Sequence, residues 1–296
     1  MAQPRELRRR IKSVENTRQI TKTMEMVATS KLKRAQDRVI AARPYAAALA
    51  EIIADLYDPA LEEQFPLLRR PQGGIKRAAV IGITSNRGLA GAFNANLIKE
   101  TRSRIKAFEQ EGAEVELHMI GKKGVGFFKY LGRHMTTATQ EITDRPSMED
   151  AIGVINPVVE RFEAGELDAV EVVFAKFVSP LTTPATTMRI LPVEVTAVDK
   201  SEATSAGSFA TNYILHPSAE EIIGAVLPLY VRNAMYRALV ETAASEQGAR
   251  RTAMKNATDN AGDMLDNLRR TLNRARQAQI TQEISEIVGG AAALQG

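Results

Sequence analysis

The sequence has no cysteine and no tryptophan, and aromatic residues fill only 5% of its 296 positions. Without cysteine, disulfides and thiol chemistry are excluded, and a reducing compartment is allowed but not required. Scarce aromatics suit helices that pack through Ala, Leu, Ile and Met. Histidine is nearly missing too. His118, His134 and His216 are scattered with no i, i+4 pair, which argues against a zinc site. No Ser-His-Asp set with a nucleophile turn appears. No apolar run reaches the roughly 18 residues that a membrane-spanning helix needs. The start of the chain lacks the apolar stretch of a signal peptide. It is Arg-rich, as transit peptides are, yet it carries acids and turns helical almost at once, so no removable segment is expected.

What is present is an excess of positive charge, formally +4, and it is unevenly spread. Arg5, Arg8, Arg9, Arg10, Lys12, Arg18, Lys22, Lys31, Lys33, Arg34 and Arg38 crowd the first segment, against Glu6, Glu15, Glu25 and Asp37. Such a face suits nucleic acid, an anionic membrane or an acidic protein.

The two ends share one pattern. Residues 5–57 and 219–288 both read as long helices, reaching roughly 80 and 105 Å at 1.5 Å per residue. Small or apolar residues recur in steps of four and three at Ala28, Leu32, Ala35, Val39, Ala42, Ala46, Leu49, Ile53 and Leu56. The last helix repeats this at Ala261, Leu265, Leu268, Leu272 and Ala275. That is a coiled-coil seam. Before it, Leu7, Ile11 and Val14 are expected to give way to Ile20, Met24 and Val27. Pro44 predicts a bend and Pro228 an interruption. Compact enzymes rarely need helices this long, so an antiparallel pair of rods is expected.

Between the ends, the expected domains are a linker at 58–75, rich in Pro and Gly, and an α/β domain at 76–211. The helical arms then occupy 1–57 and 212–296. Ala78 to Thr84 is a continuous apolar run typical of a buried parallel strand. Strands are also expected at 115–120 and 170–178. Helices are expected near 94–110, 123–131 and, behind a capping box of Ser147 and Asp150, up to about Ala164. Thr187 to Val195 is expected as an antiparallel neighbour. Residues 199–211 read as loop, and Ser218, after His216 and Pro217, as the cap of the final helix. The fold class is therefore a Rossmann-like layered α/β domain with a mostly parallel sheet, plus a long antiparallel coiled coil.

Two glycine turns are candidates for phosphate binding. Ser85 to Asn94 and Gly121 to Gly126 each sit where a strand feeds a helix. Neither matches the dinucleotide fingerprint or the phosphate loop, so a structural turn is the better reading. Met24 and Met26 at helical spacing read most simply as core. The stretch Ser245 to Ala261 holds a glycine and many polar groups inside a helix, where the seam is interrupted; such a helix usually borders water or another chain. The end is uncharged from Ile287 to Leu294 and reads either as a fraying terminus or as a smooth tip entering a sleeve. Three classes stay open on these grounds: a mechanical coupling protein, a nucleotide-binding enzyme with helical arms, and a nucleic-acid or membrane-surface scaffold.

Three segments resemble the gamma subunit family of the F-type ATP synthase: Arg10 to Ala28, Ser245 to Asn260, and Arg276 to Ala291. The likeness covers nearly the whole chain. The turn Ser85 to Asn94 is similar to the family's Ser-Asp-Arg-Gly-Leu-Cys-Gly-Gly-Phe-Asn and departs from it at Asn86, Ala90 and Ala92. The regulatory insertion of chloroplast members, with its cysteine pair, has no counterpart, which implies a bacterial form.

The resemblance implies a central rotor stalk with no catalytic site, cofactor or metal of its own. Partners would be the hexamer of alpha and beta subunits, the epsilon subunit and the membrane c-ring, with no nucleic acid. Location would be peripheral, on the cytoplasmic face of the bacterial plasma membrane. ATP binding, ATP synthesis and hydrogen-ion transport would belong to the assembly. By the same resemblance, Met24, Lys31, Arg34, Glu246, Arg250, Arg276, Gln277, Thr281, Gln282 and Glu283 are the candidate contacts with alpha and beta.

Overall fold

A computed structural model describes residues 4–58, 60–71, 73–142, 144–194 and 218–295. The first helix, α1 (Pro4–Leu56), and the last, α6 (Ala219–Gln295), enclose every other element in the sequence. α1 continues through Pro44. The proline removes one backbone donor there, but Ile40 and Pro44 are exposed, so water can serve the freed carbonyl of Ile40. α6 likewise runs through Pro228. Ser218 caps it as expected, its Oγ accepting from Glu221 N at 3.2 Å; His216 and Pro217, like residues 199–211, lie outside the described residues.

The chain divides into two compact units. The first joins α1 up to Ala28 with α6 from Arg251 onward. Within it the helices run antiparallel: Glu15 meets Arg269 at 3.6 Å, and Thr21 meets Thr258 at 2.8 Å. The α6 seam buries Met254, Thr258, Ala261 and Leu265 and half-buries Leu268, Leu272 and Ala275. The expected interruption at Ser245–Ala261 does not extend over its second half, because Met254 and Thr258 carry the register on to Ala261.

The expected slip in α1 does not occur either. Ile20 and Val27 are 60% and 52% exposed, whereas Leu7, Thr21 and Ala28 are buried. From Leu7 the steps of four and three pass through Ile11, Val14, Arg18, Thr21 and Glu25 to Ala28. Polar residues occupy three of these heptad positions, so an apolar pattern cannot reveal them. The Thr21–Thr258 pair also has carbonyl partners, Arg18 O at 3.0 Å and Met254 O at 2.8 Å. Buried hydroxyls with partners avoid the penalty of unmet hydrogen bonds.

The second unit runs from Thr29 to Arg250. Its sheet has the order β3-β2-β1-β4-β5. Here β1 is Arg77–Ile83, β2 Glu114–Ile120, β3 Thr137–Thr139, β4 Ala169–Ala175 and β5 Ala185–Leu191. All pairs are parallel except β4 with β5. The short polar β3 has no apolar signal, and sequence reading missed it.

Alternate residues of β1 feed opposite cores. Ala79, Ile81 and Ile83 pack with α5 (Met148–Glu163) and with Ile223 to Leu239 of α6. Ala78 and Val80 pack with α3 (Phe93–Gln110) and α4 (Lys122–Tyr130). Burial on both faces is why the strand reads as one apolar run. The Ser147–Asp150 capping box is present, with 3.1 and 2.8 Å bonds.

The stretch expected as linker instead carries α2 (Leu61–Gln64) and a 3-10 turn, Pro66–Leu68. Leu61, Leu67 and Leu68 are buried in the core. Prolines there shape a packed corner rather than a free tether.

Candidate functional site

In an open α/β sheet, ligands bind beyond the carboxyl ends of the strands, where the strand order reverses. Here β2 lies on one side of β1 and β4 on the other, so that point falls between β1 and β4. It is covered by α6. Thr242 Oγ1 accepts from Ala175 N at 3.3 Å, Ser245 Oγ donates to Ala175 O at 3.1 Å, and Glu241 Oε2 accepts from Phe177 N at 3.1 Å. Helical spacing puts Glu241, Ser245 and Gly248 on one stripe. A Cβ at Gly248 would stand 3.1 Å from Pro180 O, so a side chain there would push the helix and the β4–β5 turn apart by a few tenths of an ångström.

The glycine turns are tied off in the same way. Helix N-termini offer free N–H groups to anions. At α4, Lys122 N donates to Asn86 Oδ1 at 2.9 Å, Lys123 N to Ser85 O at 3.1 Å, and Gly124 N to Thr84 Oγ1 at 2.9 Å. Asn86, where the chain departs from the family pattern, is thus a bonding residue of the turn. Gly121 has φ 95°, and a Cβ there would lie 2.1 Å from Thr84 O. The two turns grip each other.

A cleft of about 350 Å³ remains between α6, the ends of β1 and β2, and the segment after β3. Lys31, Glu246 and Arg250 all line it, with Asn86, Asp144 and Gln247. Lys31 Nζ holds Asp144 Oδ2 at 2.6 Å. Burial pushes the Asp144 carboxyl up, but the bond and charge of Lys31 outweigh this and leave it below its usual range. Arg250 Nη2 donates to Glu246 Oε1 at 2.5 Å and to Gly88 O at 3.3 Å. Glu246 and Arg250 are each 8% exposed. The reading of Ser245–Ala261 as a border with water or another chain is corrected for this part: Ser245 to Arg250 face the chain's own sheet and turns.

The other sequence candidates stand elsewhere. Met24 is half-buried, and Arg34, Arg276, Gln277, Thr281, Gln282 and Glu283 are exposed. The last five share the C-terminal part of α6 with exposed Ile280, Ile284, Ile287 and Val288. Sequence reasoning missed Asp144, Glu241 and Thr242. The i, i+4, i+7 stripe of Glu241, Ser245 and Gly248 was the available signal for Glu241; Thr242 and Asp144 had none.

Burial raises the Glu246 carboxyl above its usual range, against the pull of Arg250. The folded chain therefore holds this proton to higher pH than the unfolded chain. Its contribution to stability is full below the unfolded value, near 4.5, and is lost as pH rises through the folded value. Glu246→Gln should flatten that limb of the stability curve, by at most about 1.4 kcal/mol per pH unit. Urea unfolding between about pH 4 and 8 measures it; an unchanged slope would mean that the carboxyl stays ionised.

Among the described residues, no group of three His, Asp or Glu could hold a metal ion, and no helix is long and apolar enough to cross a membrane.

The family model "ATP synthase" matches residues 3–294. The ATP synthase gamma chain of Gemmatimonas aurantiaca is 57% identical over 296 residues, covering 100% of both chains. The chain belongs to the gamma subunit family of the F-type ATP synthase. The gamma chain of Frankia casuarinae is 42% identical, covering 99% of this chain and 98% of its own. That of Leptospira biflexa is 40% identical, covering 99% and 100%. In fold, the chain is similar to one in the Euglena gracilis mitochondrial ATP synthase OSCP/F1/c-ring structure (TM-score 0.64, 20% identity, 98% and 94% covered). It also resembles one in the Tetrahymena thermophila central stalk/c-ring structure (TM-score 0.59, 22% identity, 80% and 99% covered). As a gamma subunit, the chain has the role of central rotor stalk in the rotary complex.

Proposed function

We propose that this gamma subunit carries no catalytic site and works purely as a mechanical coupler. Its partners are the alpha–beta hexamer, the epsilon subunit and the c-ring. Ion flow turns the ring, the stalk turns with it, and ATP is made or split at the beta subunits. The subunit is peripheral on the cytoplasmic face of the bacterial plasma membrane, held there through its partners. Hydrogen-ion transport and ATP binding belong to the assembly, not to this chain.

The observation that carries this reading is the heptad seam of α1 and α6, antiparallel in the unit where Thr21 meets Thr258. Three identical catalytic sites become unequal only if something non-symmetric stands at their centre. The coupling is as large as the difference in contact energy between orientations. A pair of unlike helices offers a different face to each site. The covered switch point supports the non-catalytic part of the reading, since α6 and the turns take the backbone groups that a nucleotide would need.

Contacts with alpha and beta fall to the exposed members of the candidate set: Arg34, Arg276, Gln277, Thr281, Gln282 and Glu283, with half-buried Met24. Lys31, Glu246 and Arg250 act from behind, holding α1 and α6 to the loops of the sheet. Charge-assisted bonds of about 1.5–3 kcal/mol are strong enough to catch and weak enough to release in each turn.

The lack of native cysteine allows a direct test. Arg34→Cys, loaded with a cleavable photo-crosslinker in the assembled complex, should bond to beta or alpha. ATP hydrolysis should fall in proportion to crosslink yield and return on cleavage. Full turnover by the crosslinked complex would defeat the coupler reading.

A further inference from the structure

On the sheet face opposite α5, helices α3 and α4 leave an open groove of about 870 Å³ between them. Its floor is apolar: Ile98, Phe127, Phe128 and Leu131. Phe128 is buried, Phe127 half-buried, and Leu131 52% exposed. Both lips are basic. Lys99, Arg102 and Lys106 follow one another at steps of three and four along one face of α3, a stripe of about 10 Å. Lys123 and Arg133 line the other side. Glu109 is the acid in the lining, and Arg133 Nη1 already holds it at 2.6 Å. Lys99, Arg102 and Lys106 are exposed and make no salt bridge among the described residues.

An apolar trough with a row of three unpaired cations on one lip and Lys123 on the other is complementary to a rod that is apolar on one side and acidic on its flanks. We propose that this groove docks an acidic amphipathic helix of a partner protein. Its apolar stripe lies on Phe127 and Leu131, and its carboxylates reach Lys99, Arg102 and Lys106 on one lip and Lys123 on the other. Helix-in-groove recognition has this form, with anchors at i, i+3 or i+4, and i+7. The concavity favours a helix over a lipid surface, because a flat layer of headgroups would meet the lips and leave the floor uncovered. Exposed basic rims raise association rate and selectivity, and the buried apolar anchors supply most of the affinity. None of the groove residues belongs to the coupling cleft, so this surface is independent of the coupler reading.

The test uses the complete enzyme in cells. Benzoylphenylalanine replaces Leu131, the complex is irradiated, and the crosslinked peptide is sequenced by mass spectrometry. The expected product is a protein adduct whose peptide has an excess of Asp and Glu and apolar residues at i and i+4. Arg102→Glu with Lys106→Glu should cut the adduct yield by about tenfold in complexes that assemble and hydrolyse ATP normally. A lipid adduct, an adduct on a segment without acidic excess, no adduct, or a yield indifferent to the two charge reversals would each overturn the proposal.

Discussion

Glu171→Ala will lower the thermal midpoint of the full chain by roughly 6–12 °C. Glu171 is 3% exposed in the middle of β4. Its carboxylate receives Arg104 Nε at 2.8 Å and Nη2 at 2.9 Å from α3, and Arg189 Nη2 at 3.0 Å from β5. Three elements converge on one charge. Breaking a buried pair by removing one partner costs about 3–5 kcal/mol, because the remaining charge is left uncompensated. Both arginines are about 30% exposed at the side chain, so part of their charge can rehydrate, and about 3 kcal/mol is the better figure. In a unit of this size each kcal/mol moves the midpoint by about 2–4 °C. Glu171→Gln keeps an acceptor and should lose about half as much. Glu166→Ala, which removes an exposed partner of Arg161, should shift the midpoint by no more than a degree or two. Melting followed by circular dichroism separates the three. Equal shifts for Glu171→Ala and Glu166→Ala would mean that the buried network adds nothing beyond a surface pair.

The contrast between Glu171 and β1 shows what sequence can carry. Ala78 to Thr84 is legible as a buried parallel strand because both faces of the sheet demand apolar residues, and the observed β1 differs by one position at each end. Ser147 and Asp150 are legible because a capping box is local. The seam from Ala28 onward is legible because its members are apolar. Arg18, Thr21 and Glu25 continue the same seam, but polar side chains at heptad positions resemble surface, and nearby Ile20 and Val27 take their place in an apolar count. Thr21 is buried because Thr258 lies opposite, a partner that no local window contains. The surroundings of Ser245 to Arg250 were hidden for the same reason. Polarity inside a helix ordinarily means water or another chain, so Glu246 and Arg250 carry no sign of the loops they touch. Their real neighbours, Gly88 and Asp144, come from distant loops brought there by the sheet.

Burial of Arg250 changes what its removal does. An exposed interface residue could be truncated without harm to the fold. Here Arg250→Ala removes the bond to Gly88 O and leaves Glu246 in a buried site without its cation. Because the Glu246 carboxyl is already raised by burial, it can take up a proton instead of staying charged. The loss of stability should therefore stay near 2 kcal/mol rather than reach the about 3–5 kcal/mol of a broken buried pair. The functional loss should be larger in relative terms. Arg250 joins α6 to the β1–α3 turn, so the variant loosens the grip of the stalk helix on the sheet. A charge-assisted link of about 1.5–3 kcal/mol corresponds to roughly a tenfold to hundredfold change in the balance between gripped and released states. Coupled ATP synthesis in membrane vesicles should fall by at least about tenfold per assembled complex, while hydrolysis by the same complexes stays within a few fold. Glu246→Gln combined with Arg250→Ala should recover stability, since no charge is left to bury, but not synthesis, since Gly88 still lacks its donor. Synthesis and hydrolysis falling together in step with the amount of assembled complex would mean that Arg250 only supports the fold. Recovery of synthesis in the double variant would mean that the harm came from the stranded carboxyl and not from the broken link.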